Sequence, residues 1–394
     1  MTARRSALRV LVATALVTAL AGCSGSGDGS GTTTPSAAHA SAPATTCQGP
    51  SPSAPGYQAY DCLVSAPSIA SNLFGDPPMV EAAVLVPTGL ADSGERRPSV
   101  YVLAGFGGSV DYLRDPVVTE LTANPESAPD AAKAPVLVFA GGANAPGGSF
   151  YTNSPVTGDW ADAIAEDLVG YVDATYPTIP EAASRGISGH SMGGSGAINL
   201  ALHRPDVFGA VYALSPGLFD EKGKEARFAG DEVEGVVAAL EEVEPVAVEQ
   251  RWGELSGLIP GGENAQFAVA YGLAYAGDPS LDTLFRYPFH RDSSGKIVRD
   301  DAVWKEWDAG FGDLPGKIER YGDALRGLRG IGIDYGRNDG YTWIPPGCHY
   351  FAELLREADI PVTEAPYQGT HDDQIPERIV QHLIPFMIDR LAQG

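Results

Sequence analysis

The sequence predicts an α/β protein: a mostly parallel sheet with helices on both faces and an inserted, cap-like segment. Two observations carry this. From about Gly56 onward, short apolar and β-branched runs alternate with stretches of helical spacing. Between about Leu218 and Gly322 that rhythm breaks into a charged, Gly/Pro-punctuated and partly helical segment. It is too long to be a structureless loop inside a compact domain.

The elements follow in order. "MVEAAVLVPTGL" reads as an early strand, and "RPSVYVLAGFGGS" and "APVLVFAGGANAPGGS" as apolar strands ending in glycines. "DWADAIAEDLVGYVDATYP" places Ile164, Leu168 and Val172 at helical spacing. "SRGISGHS" is a short strand running into a turn, and "MGGSGAINLALHRPD" a helix with small residues at its start. "FGAVYALSPG", "LRGIGIDYGRND" and "IPVTEAPYQG" are later strands, the last two separated by the helical "CHYFAELLREADI". The helix "PERIVQHLIPFMIDRLAQ" closes the chain. No internal repeat is evident. The inserted segment contains "EVEGVVAALEEVEPVAVEQRWGEL" and "DAVWKEWDAGF", helical in spacing.

The first residues do not belong to this pattern. Arg4, Arg5 and Arg9 precede "VLVATALVTALAG", a basic region followed by an apolar run too short for a bilayer span. The run ends in Leu20-Ala21-Gly22-Cys23, which resembles a bacterial lipobox, with Cys23 as the lipidated residue. The expectation is a lipoprotein signal peptide over 1–22 and a lipid anchor at the outer face of the cell membrane. Ser24 to about Pro55, rich in Gly, Ser, Thr, Ala and Pro, is expected to be a flexible tether. The folded α/β domain is expected over 56–394. Cys47 and Cys62 flank a short Pro/Gly-rich segment, and a disulfide between them suits an exported chain. Cys348 is left over and reads as a buried thiol.

The formal net charge of -24 argues against nucleic acid or anionic lipid headgroups as partners, because a negative field repels phosphate.

Gly189-His190-Ser191-Met192-Gly193 fits Gly-x-Ser-x-Gly, which a chain with 48 Gly in 394 residues can meet by chance. Its context decides: it follows a predicted strand and opens a predicted helix. A nucleophilic serine needs such a turn, which lifts its hydroxyl above the sheet. The Met192 N–H, next in the chain, can donate to an oxyanion. The second donor is expected from "LAGFGGS", at Phe106 with Gly107 as the alternative.

A base must follow the acid in this topology. His371, in the loop "YQGTHDDQIP" between the last strand and the last helix, is chosen over His349 and His382. Asp339, just beyond the end of "GIGIDYG", is chosen over Asp334, whose side chain would face the packed sheet. The 32 residues between them (371−339) accommodate one helix and one strand. Ser191, Asp339 and His371 form a nucleophile, orienting acid and base for acyl transfer. This chemistry requires no cofactor, and no metal-ligand cluster or nucleotide-binding spacing is found.

The Ser191 block, "GSFYTNSPVTGDWADAIAEDLVGYVDATYPTI" and "IDYGRND…GTH" resemble the esterase family of the α/β-hydrolase superfamily. That family includes esterase D (S-formylglutathione hydrolase), feruloyl esterase domains and mycolyltransferases. The resemblance spans roughly Val80 to Leu391 and is weakest over the insertion. It implies an α/β-hydrolase fold, catalytic roles for Ser191, Asp339 and His371, and oxyanion donors at Phe106 and Met192. Ala104 departs from relatives that carry a residue such as His or Asp before the oxyanion-loop glycine. The expected activity is carboxylic-ester hydrolysis on a small-molecule or envelope ester. The alternatives are acyl transfer to an envelope acceptor and a non-catalytic surface binding lipoprotein.

Overall fold

The computed structural model describes residues 42–393, all within one compact unit. The signal-like run and Cys23 lie outside the described residues. Nine strands form one sheet: β1 (Thr46–Pro52), β2 (Tyr57–Ser65), β3 (Met79–Pro87), β4 (Ser99–Leu103), β5 (Val136–Ala140), β6 (Arg185–His190), β7 (Ala210–Leu214), β8 (Gly330–Gly336) and β9 (Thr363–Tyr367). Their order across the sheet is β1-β2-β3-β5-β4-β6-β7-β8-β9. The first three pair antiparallel, β3 meets β5 antiparallel, and all pairings from β5 to β9 are parallel.

Burial explains the composition of the central strands. Every residue of β4 and β5 is buried, because helices cover both faces. Successive side chains alternate between two cores: Tyr101 and Leu103 enter one, Val100 and Val102 the other. The helix Met192–His203 packs into the first core, and the helices Asp111–Ala123 and Ile384–Arg390 into the second.

Two expectations change, and one helix is unforeseen. The tether does not reach Pro55: Thr46–Pro52 is an edge strand paired with β2, and a Cys47–Cys62 disulfide crosses the pair. "TCQGPSP" shows no strand pattern because pairing and the disulfide hold it, with little apolar burial; an edge strand tolerates its prolines. The helix Asp111–Ala123 has no counterpart among the expected elements; Pro116 inside it and its mixed charges mask it. The insertion ends before Gly322. The helix Leu314–Gly327 packs on Met192–His203, with Tyr321 edge-on to His203 at 4.7 Å, so it belongs to the layer covering the sheet.

The remaining insertion folds as short helices and a two-stranded ribbon, Phe289–Arg291 with Ile297–Arg299. It shares the core of the sheet domain. Phe228, Phe267, Tyr271 and Phe311 form an aromatic cluster around Phe150, which follows β5. Such edge-to-face contacts add to the area they bury.

Candidate active site

Ser191 stands between β6 and the helix Met192–His203 with φ 57° and ψ -117°, a conformation that L-residues rarely adopt. Its surroundings hold it there. The Ser191 N–H donates to Leu214 O of the neighbouring β7 at 2.9 Å, and its carbonyl accepts from Ser195 N–H at 3.1 Å. Two glycines make the turn possible. A Cβ on Gly193 would overlap the Leu103 carbonyl, and one on Gly189 would overlap Gly193 itself.

The candidate acid and base arrive from the next strands. Asp339 lies beyond β8 and His371 beyond β9, and the two loops are laced together. Arg337 N–H donates to Tyr367 O at 2.8 Å and Asn338 N–H to Gly369 O at 2.9 Å. Asp339 is buried and fully engaged: Oδ2 accepts from His371 Nδ1 at 2.7 Å, and Oδ1 from Tyr341 N–H at 2.7 Å. A carboxylate can only accept, so Nδ1 carries the proton and Nε2 is left as the basic nitrogen. Tyr341 stands edge-on to the His371 ring at 4.8 Å.

Asp334 occupies the buried strand position expected of it. Its carboxylate accepts from Tyr212 Oη at 2.9 Å and pairs with Arg378 at 2.7 Å. His349 is exposed on Glu364, and His382 accepts from Arg378. Neither approaches the Ser191 cleft. Cys348 is a buried free thiol, and burial pushes its pKa well up.

Ser191 and His371 open into one cleft of about 280 Å³, walled by Phe106, Phe267, Phe311 and Trp343. Among the described residues, neither Phe106 N–H nor Met192 N–H has an acceptor, whereas Gly107 N–H is spent on Gly147 O at 2.9 Å. Both free donors belong to residues lining the cleft. Trp343 and Phe311 thus face the cleft. Tyr151 is a buried packing residue whose hydroxyl donates to Ala104 O at 2.9 Å, and Trp307 is wholly buried.

His190, which comes too early in the chain to act as the base, proves structural to the site. It is fully buried, and its Nε2–H donates to His371 O at 2.9 Å. Its Nδ1 lies 3.2 Å from Tyr112 Oη, which donates to Asp372 at 2.8 Å. Burial pushes its pKa down to about 3, with the nearby His371 adding to the shift. His190, His371 and Asp372 are of metal-ligand type and gather within 4.8 Å. His190 Nε2 is already taken by His371 O and Asp372 by the Tyr112 hydroxyl, so the three do not form a preformed cage. The Asp372-Asp373 pair divides its work: Asp373 caps its own loop through Thr370 N–H at 3.0 Å. The local sequence carries no signal for Tyr112, because its helix is masked and its partners are remote in sequence.

A nucleophile-elbow serine, an acid-held histidine and free main-chain donors on an α/β sheet define a serine hydrolase of the α/β-hydrolase class. Within that superfamily the chain matches the esterase family: residues 78–269 fit its Esterase model. It is an ester hydrolase. No curated protein matches it by sequence. Among solved structures, a ferulic acid esterase is 16% identical, with 85% of this chain and 99% of that chain covered and a TM-score of 0.52. An S-formylglutathione hydrolase from Agrobacterium tumefaciens is 18% identical, covering 86% and 96%, at TM-score 0.49. Mycobacterium tuberculosis MPT51 (FbpC1) is 16% identical, covering 84% and 97%, at TM-score 0.47. At 16% identity the likeness to the ferulic acid esterase is one of fold.

Proposed function

We propose that the chain is an exported, lipid-anchored serine esterase in which Ser191, Asp339 and His371 carry the reaction. The observation that carries the assignment is the 2.7 Å bond from His371 Nδ1 to the buried Asp339, in the cleft that Ser191 enters on a strained turn. Ser191 Oγ attacks the ester carbonyl and passes its proton to His371 Nε2. The carbonyl oxygen, now negative, accepts from Phe106 and Met192 N–H. The C–O bond breaks, the alcohol leaves with the proton from Nε2, and an acyl-serine remains. Water then attacks that acyl group and gives its proton to Nε2; the acyl–Oγ bond breaks, Oγ takes the proton back from Nε2, and the acid and free Ser191 are released. Asp339 holds the tautomer and stabilises the imidazolium throughout.

The basic, apolar start and Cys23 support export and lipidation, with a tether that ends before Thr46. Turnover of p-nitrophenyl butyrate tests the chemistry, together with a fluorophosphonate label located at Ser191. Turnover that persists in Ser191→Ala would overturn the assignment. For the anchor, incorporation of labelled palmitate is expected in the expressed chain and lost in Cys23→Ala.

A further inference from the structure

Arg227 is a cation of the cleft wall for which the reaction above has no use. It lies in the last turn of the short helix Gly223–Phe228, is 6% exposed, and lines the same cleft as Ser191 and His371. Its guanidinium lies over the ring of Phe267, 4.2 Å from the centroid. Among the described residues it makes no hydrogen bond and no ion pair. Glu232 and Glu263 act on it only through space, and burial lowers its pKa. At the cleft, Glu263 and Asp372 are occupied by the hydroxyls of Tyr341 and Tyr112.

The Arg227 nitrogens are not sealed within the protein: they keep contact with the space of the cleft, where an acceptor on a bound molecule can reach them. Phe267 covers one side of the guanidinium and leaves its five coplanar N–H donors without a protein partner. The fold treats its other buried arginines differently. Arg185 is paired with Asp173, and the largely buried Arg378 with Asp334. Arg227 alone of these three is left unpaired, and it borders the cleft.

We propose that Arg227 receives a carboxylate on the substrate, so that the enzyme selects esters bearing a free acid group over neutral ones. The in-plane fork of the guanidinium matches the two oxygens of a carboxylate. The inference rests on the esterase reading above but concerns which ester is taken, not how it is cleaved. With a net charge of -24, the protein as a whole repels anions, so the preference has to come from this local contact.

The test compares kcat/KM for p-nitrophenyl hemiglutarate with p-nitrophenyl valerate, and for 4-acetoxybenzoate with its methyl ester. The first pair places the charge on the acyl side and the second on the alcohol side. In one pair the anionic ester is expected to be preferred at least tenfold. Arg227→Gln should bring that ratio near unity, and Arg227→Lys should retain part of it. A wild-type ratio near or below unity in both pairs, or a ratio unmoved by Arg227→Gln, would overturn the inference. Cleavage of the neutral esters that depends on Ser191 would leave the esterase reading standing in that case. If no ester is cleaved, that reading fails, and binding of glutarate and benzoate to the folded Ser191→Ala protein decides the inference. Binding lost in Arg227→Gln supports it; no binding, or binding unaffected by Arg227→Gln, overturns it.

Discussion

The imidazole of His190 and the main-chain carbonyl of His371 are joined by a 2.9 Å hydrogen bond, so the residue before the proposed nucleophile holds the loop of the proposed base. Shifts well under an ångström matter in such a site. His190→Ala should therefore lower kcat by roughly 10- to 100-fold with a smaller change in KM. His190→Gln, whose amide can donate to the same carbonyl, should recover part of the loss. Equal losses in the two variants would make the role one of packing alone.

Asp339, the proposed orienting acid, and Asp334, a buried partner of Arg378, are expected to separate function from stability. Asp339→Asn leaves His371 Nδ1 beside a neutral amide and should reduce kcat by roughly 10³- to 10⁴-fold, with little change in melting temperature. Asp334 accepts from Tyr212 and Arg378 within the sheet. Arg378→Met should instead cost about 3–5 kcal/mol of stability, because it leaves a buried carboxylate unpaired. Kinetics on p-nitrophenyl butyrate and urea unfolding of both variants measure the contrast.

The pH response of stability follows from His190. In the folded chain burial holds its pKa down to about 3, whereas the unfolded chain titrates near the ordinary value of 6.5. Between these values the unfolded state binds the extra proton, so stability rises with pH. The contribution is complete above about 6.5 and is lost as pH falls toward 3, by at most about 1.4 kcal/mol per pH unit. Urea unfolding of His190→Gln between pH 4 and 7 should show a shallower slope than the parent chain.

The Cys47–Cys62 disulfide closes a 15-residue separation across the edge pair β1–β2. Loss of both thiols through paired Cys→Ser substitutions should cost about 2–3 kcal/mol. Esterase activity should change little at temperatures where the variant stays folded, because the disulfide lies on the opposite edge of the sheet from β8 and β9. A large fall in kcat at such a temperature would contradict this.

The outline of this fold was legible because its central strands are buried on both faces and so are nearly all apolar, as "SVYVL" and "VLVFA" are. The elbow was legible because its geometry excludes Cβ atoms at Gly189 and Gly193, which forces their identity. Order along the chain, combined with strand ends, singled out Asp339 and His371. Elements held by partners rather than by their own pattern stayed hidden. Thr46–Pro52 is a strand through pairing and a disulfide, and Asp111–Ala123 is a helix despite an internal proline.

What the amino-acid sequence determined by itself was the fold class and the ester-hydrolase reading, together with a candidate nucleophile, acid and base in their order, since these rest on local patterns and residue types. Tertiary structure decided everything that depends on distance between remote segments. It directed Gly107 N–H to Gly147 and left Phe106 N–H free. It brought Tyr112 and His190 beneath the His371 loop. It left Arg227, from a charged stretch with nothing local to distinguish it, unpaired in the cleft wall. A side chain's partners, and therefore its energetics, are fixed only when the whole chain has packed.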